Sequence, residues 1–292
     1  MALKMMYITK DPEIARIAEE AGVDRIWVDL EYIGKALRQG GLDTVQSHHT
    51  IEDIKVIHAA INRAELQVRV NPIHEATADY GDSRSEIEAA IAAGADRLML
   101  PYFKTVEEVE TFLRLVGGRV RNNLLLETPE AVERVDEILA LPGIDEIHIG
   151  LNDLHLSYGL DFMFELLTNG TVERLCRKIA AKGIPYGFGG IARIGHGTIP
   201  AEKIILEHYR LGSTRAILSR SFCDTTKITD LKEIDQVFKV NMKELRDYEQ
   251  YALRAPVEFL LKNQSELSIG VDSVVKFISA RKRGEEDPWK KH

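Results

Sequence analysis

The sequence predicts a closed (β/α)8 TIM barrel with a C-terminal helical extension, on three observations. Eight short apolar runs alternate with amphipathic helical patterns along the chain. The runs are continuous rather than alternating apolar and polar, as parallel strands buried on both faces require. After residue 218 only helical patterns follow. A doubly wound open sheet is the alternative, because the barrel count depends on accepting the short, glycine-rich run at 186–188 as a strand.

In order, the strands are expected at 3–8, 25–30, 66–71, 97–100, 123–126, 146–149, 186–188 and 215–218. Helices are expected near 11–21, 51–63, 84–93, 105–116, 129–140, 161–182 and 200–212. Several begin at a capping signal: Asp11-Pro12, Thr50 with Asp53, Thr105 with Glu108, Thr128-Pro129, and Pro200. Several stop at a glycine, as at Gly22, Gly94, Gly183 and Gly212. Helical segments at 230–253, 256–263 and 271–283 complete the chain. The sequence therefore divides into a catalytic barrel, 1–229, and a stretch 230–292 holding the last barrel helix and an extension suited to oligomerisation.

Composition narrows the function. Of 292 residues, 45% are apolar and 29% charged, which is ordinary for a soluble globular chain. The net charge of −8, with basic residues clustered only near the C-terminus among acids, argues against nucleic acid as a partner. No apolar run is long enough to span a membrane, and the N-terminus lacks a secretory h-region, so a cytoplasmic protein is expected. Two cysteines, Cys176 and Cys223, are too few for a disulfide scaffold or a thiolate zinc module and read as small apolar residues.

A barrel works where its strands end. Reading the strand ends gives four acids, Asp29, Glu31, Glu127 and Asp153, and two arginines, Arg69 and Arg220, with Pro101, Leu151 and Asn152 beside them. No lysine stands where it could form a Schiff base. Glu127 and Asp153, at neighbouring strand ends, can share a hard divalent cation, Mg2+, Mn2+ or Co2+. They can equally be helix caps. Arg69 needs an anion, either a substrate carboxylate or enolate or an ion pair with Glu31 or Glu127. The loop carrying Gly189-Gly190 and the segment Ser219-Arg220-Ser221 follow the last two strands, where barrels often bind anions; a glycine-rich loop without a ligand is the other reading. His48, His49 and His155 lie in loops near the mouth, and His148 falls within a strand.

Five segments in order then resemble one family. Ala21-Gly22-Val23-Asp24-Arg25-Ile26-Trp27-Val28-Asp29-Leu30-Glu31, Gln67-Val68-Arg69-Val70-Asn71-Pro72, Ala93-Gly94-Ala95-Asp96-Arg97-Leu98-Met99-Leu100-Pro101, Leu126-Glu127-Thr128-Pro129-Glu130-Ala131 and Gly150-Leu151-Asn152-Asp153-Leu154 are similar to motifs of the HpcH/HpaI aldolase/citrate lyase β-subunit family, metal-dependent 2-oxo acid aldolases of the phosphoenolpyruvate/pyruvate superfamily. The resemblance spans roughly residues 3–222. It implies that Glu127 and Asp153 hold a divalent metal, that Arg69 binds the keto oxygen and stabilises the enolate, and that Glu31 acts through a water on the metal. It also implies trimers or hexamers built through C-terminal helices.

The family's pyruvate aldolases usually carry histidine after the strand-2 glutamate, as part of a proton-handling dyad. This chain has Tyr32, and the dyad's acidic partner falls near Asp82-Ser83. The expected activity is divalent-metal-dependent cleavage or formation of a 2-oxo acid through a pyruvate-like enolate, with a sugar-derived or anionic aldehyde as acceptor. Arg69, Pro101, Leu151, Asn152, Gly189, Gly190 and Arg220 would bind substrate, and a metal-bound water, Tyr32 or a loop histidine (His48, His49 or His155) would move the proton. An acyl-CoA lyase of the citrate lyase type, and a catalytically silent barrel with a binding or assembly role, are the alternatives.

Overall fold

The computed structural model describes residues 1–34, 49–77 and 80–284. His48, most of the insertion at 34–49 and the last basic residues lie outside them. Eight parallel strands close into a barrel in the order β1 to β8. They are β1 Lys4–Ile8, β2 Arg25–Asp29, β3 Glu65–Arg69, β4 Arg97–Leu100, β5 Arg121–Leu126, β6 Ile147–Ile149, β7 Tyr186–Ile191 and β8 Arg215–Leu218. β1 closes the ring on β8 through the register Met5 opposite Ala216.

The described helices are α1 Pro12–Glu20, α2 Ile51–Ala60, α3 Ser83–Ala92, α4 Val106–Val116, α5 Pro129–Glu133, α6 Val135–Ile138, α7 Leu151–Ser157, α8 Glu165–Thr168, α9 Thr171–Ala181, α10 Ala201–Arg210, α11 Leu231–Arg254 and α12 Val257–Lys282. Their starts follow the capping residues in the sequence. Thr50 and Thr105 form full capping boxes with Asp53 and Glu108, and the Asp11 carboxylate accepts from the backbone of Glu13 and Ile14.

Beyond shifts of up to three residues at element ends, four segments differ in kind from the sequence expectation, each for a local reason. The run at 186–188 is a six-residue strand, because its three glycines lie in the sheet rather than ending it. The segment at 161–182 splits into α8 and α9 at Gly170, which has φ +81°. The segment at 129–140 splits at Arg134. The segments at 256–263 and 271–283 join into one helix, α12, which runs through Gly270; Asn263, Leu267 and Val271 of α12 are buried, and Asn263 donates to the Lys203 carbonyl of α10 at 3.0 Å. Packing here overrides the weak helix propensity of glycine.

Outward-facing strand residues and the helices form the main apolar core. Inside the barrel, the N-terminal end is polar. Arg25 Nη1 donates to Glu146 Oε1 across the barrel at 2.7 Å and to Gln67 Oε1 at 3.0 Å. Arg215 Nε also reaches Glu146, at 2.7 Å, and Asn123 bridges Gln67 and Glu146 at 3.1 Å each. This plug seals the bottom. Above it, Trp27, Met99 and Leu125 form a small separate apolar cluster. β7 lines this part of the interior only with glycine, Gly189 and Gly190, and a cavity descends there from the mouth.

Candidate active site

The cavity at the C-terminal mouth has a volume of about 410 Å3. Asp29, Arg69, Glu127 and Asp153 line one side, and Gly189, Gly190, Ser219 and Arg220 another. These are ends of β2, β3, β5, β7 and β8 and the first turn of α7. Leu151 and Asn152 also line it.

Arg69 is nearly buried and bound on two sides. Its Nε donates to Asp29 Oδ1 at 2.8 Å and its Nη2 to Asp29 Oδ2 at 2.7 Å, a bidentate pair. Nη1 lies 3.3 Å from Glu31 Oε2. The guanidinium also lies 5.0 Å over the Trp27 ring. Burial favours the neutral form, but Asp29, Glu31 and Glu127 outweigh it and raise the pKa, so the charge is held. Both readings of Arg69 therefore meet in one geometry: it is paired to carboxylates and still faces the cavity.

Glu127 and Asp153 are both buried. The Tyr102 N–H donates to Glu127 Oε1 at 3.1 Å. Tyr102 has φ +50°, the one positive φ among the described non-glycine residues, so this turn is strained to aim its N–H. Gly150 leaves room for the other oxygen: a Cβ there would stand 2.6 Å from Glu127 Oε2. Glu127 does not cap α5; the Thr128 hydroxyl does, accepting from Ala131 N–H at 3.2 Å.

Among the described residues no group of three or more His, Cys, Asp or Glu side chains gathers as a ready-made metal cage. Three carboxylates line the cavity: Asp29 is held by Arg69, and Glu127 and Asp153 are the pair that the sequence marks for a cation. That pair suits Mg2+ or Mn2+, which commonly take one or two carboxylates and complete their shells with water and substrate oxygens.

Tyr32 and His49 line a second cavity of about 390 Å3, beside Asn71, Tyr80 and Glu86. Tyr32 packs on Tyr80 with ring centroids 4.6 Å apart. His49 Nδ1 accepts from the Asp29 N–H at 3.0 Å, which places the ring proton on Nε2. Glu31 is buried and pairs with Arg69, but it does not line the central cavity. Pro101 is buried outside it. Asp82 caps α3 through Ser85 N–H at 2.8 Å. His155 is buried, with Nδ1 3.2 Å from the Leu151 carbonyl, and Tyr158 is exposed.

Sequence reasoning missed several wall residues: Tyr7, Trp27, His148, Met163, Cys223 and Thr225. Trp27 and His148 are findable by alternation, since each lies two positions beyond a residue of the polar plug, Arg25 in β2 and Glu146 just before β6. Met163, Cys223 and Thr225 lie in loops with no periodic signal. The segment after Asp153, read as loop, is helix α7, and Asp153 sits in its first turn.

The HpcH/HpaI aldolase/citrate lyase family model matches residues 4–162. Over 102 residues the chain is 29% identical to a pyruvate kinase of Methylorubrum extorquens; the match covers 35% of this chain and a fifth (20%) of that protein's length. Two solved structures share the fold with TM-scores of 0.60. An HpcH/HpaI aldolase from Desulfitobacterium hafniense DCB-2 is 18% identical, over 80% of this chain and 93% of that one. An HpcH/HpaI aldolase/citrate lyase family protein from Burkholderia cenocepacia J2315 is 17% identical, over 80% of this chain and 95% of that one.

Proposed function

We propose, on the footing that the chain belongs to the HpcH/HpaI aldolase/citrate lyase family, that it is a lyase carrying out divalent-metal-dependent carbon–carbon bond chemistry on a 2-oxo acid through a pyruvate-like enolate. The observation that carries the reading is one cavity lined by a charged, buried arginine with its partner Asp29 and by two further buried carboxylates, Glu127 and Asp153.

Glu127 and Asp153 would hold the cation, which when bound supplies Lewis-acid polarisation of the carboxylate and keto oxygens. Arg69 uses its remaining N–H donors on the same oxygen and stabilises the charge that develops there. Asp29 and Glu31 keep the guanidinium in place before substrate arrives, so little reorganisation is needed. The proton is handled on the Glu31 side: Glu31 pairs with Arg69, and its chain neighbour Tyr32 lines the second cavity together with His49. The acceptor aldehyde occupies the opposite wall, where Arg220 and Ser219 suit an anionic or hydroxylated group and Leu151, Asn152, Gly189 and Gly190 shape the space. Homo-oligomerisation through the C-terminal helices belongs to the same proposal. It is supported by the exposed Tyr251 and Leu253 on α11 and Val257, Leu261 and Ile269 on α12.

The test needs no knowledge of the acceptor. Pyruvate methyl protons should exchange with D2O, followed by NMR, when the protein and Mg2+, Mn2+ or Co2+ are both present, and not in Glu127→Gln. No exchange with any of the three cations would overturn the pyruvate-enolate reading. Exchange on an acyl-CoA alone would move the proposal to the citrate lyase type.

A further inference from the structure

The floor of the central cavity holds two polar atoms that find no hydrogen-bond partner among the described residues, Trp27 Nε1 and His148 Nδ1. Both residues line the cavity, and both are almost wholly buried, at 2% and 1% exposure. They sit on β2 and β6, which stand opposite each other in an eight-stranded ring. Arg25 and Glu146, two positions before them, bond directly across the barrel at 2.7 Å. Side-chain alternation therefore aims Trp27 and His148 at the same space one layer higher.

Their hydrogen-bonding roles are complementary. The indole Nε1–H can only donate. His148 Nε2 lies 3.3 Å from the Gly189 carbonyl, which can only accept, so Nε2 carries the proton and Nδ1 presents a lone pair. Burial pushes the His148 pKa down to about 4, which keeps that lone pair available at neutral pH. A buried donor and a buried acceptor left unmade each carry a desolvation cost, and buried polar groups are normally satisfied. The group that satisfies both at once accepts one hydrogen bond and donates another, which is what an alcohol does.

We propose that Trp27 and His148 form a hydroxyl-reading subsite, so that the bound small molecule carries a hydroxyl that reaches the cavity floor beside the Arg69 end. The inference rests on the enolate reading for which half of the substrate lies nearest. The donor–acceptor pair itself does not depend on it. Hydroxyl recognition of this kind discriminates strongly, because an analogue lacking the group leaves both protein atoms unpaired.

Trp27 and Trp289 are the two tryptophans of the chain, so its 15N–1H spectrum has two indole peaks, and Trp289→Phe assigns them. Two ligand pairs differing by one hydroxyl are titrated: hydroxypyruvate against pyruvate with Mg2+, and glycerate against lactate without metal. The hydroxylated member of each pair should move the Trp27 indole proton downfield and bind about tenfold more tightly than its partner. The ratio should collapse in His148→Phe and return in His148→Gln, whose amide oxygen can accept. Equal affinities within both pairs, or a preference that survives His148→Phe, would overturn the subsite. Loss of metal-dependent binding of both oxo acids, with the glycerate preference intact, would reject the enolate reading and leave the subsite standing.

Discussion

Arg69 commits two of its donors to Asp29 and a third nitrogen to Glu31, so its position is set by a fork that a lysine cannot copy. Arg69→Lys should keep the charge and lose the geometry, slowing pyruvate exchange in D2O by about a hundredfold. Unchanged exchange would mean that Arg69 serves only as Asp29's counter-ion. Gly150 gives a second test at this scale. An added Cβ would press on both the carboxylate and the Cβ of Glu127, at 2.6 and 2.8 Å. Gly150→Ala should weaken Mn2+ binding at least tenfold while the far-UV circular dichroism spectrum holds, because the displaced group is a side chain at the mouth. Arginine, glutamate and aspartate at strand ends were legible in the sequence because chemistry restricts the residue types there. The Asp29 fork was not, since no local pattern says which of four nearby acids meets Arg69.

Turns after the strands decide how these side chains are held. Tyr102, following β4, takes the left-handed conformation and thereby points its N–H at Glu127. Replacing it with glycine removes the strain and keeps the N–H, whereas valine disfavours that backbone region. Tyr102→Gly should match or exceed the wild-type midpoint in urea. Tyr102→Val should lose about 1–2 kcal/mol and bind Mn2+ more weakly. Equal behaviour of the two variants would remove any role for the turn. Most strands and the starts of the capped helices are readable to within a residue or two because period and cap chemistry are local. The sequence understates β7, whose glycines resemble a loop until neighbouring strands pair with them, and breaks α12 in two, since only its contact with α10 carries it through Gly270.

On the scale of the whole molecule, the barrel rests on a buried charge network that should make it acid-sensitive. Burial opposes ionisation of Glu146, but Arg25, Arg97 and Arg215 prevail and lower its pKa to about 2. Its contribution to stability is present above the ordinary glutamate value near 4.3 and is lost as pH falls toward 2. Burial also pushes His148 down to about 4 and His208 down to about 3. Their contribution is present above about pH 6.5 and declines as pH drops toward those values. The melting temperature should therefore fall steadily from pH 7 to pH 3, and more shallowly between 6.5 and 4 in His148→Phe. Glu146→Gln leaves three arginines around a neutral side chain and should cost about 3–5 kcal/mol at pH 7. A melting temperature independent of pH in this range would contradict the network's role.

The most direct test of the central claim is calorimetry of oxalate, a mimic of the pyruvate enolate, with and without Mn2+. Oxalate should bind only when Mn2+ is present, once per chain, and Glu127→Gln should abolish binding of both. Oxalate binding that is equally tight without metal, or that survives Glu127→Gln, would contradict a metal-held enolate at Glu127, Asp153 and Arg69.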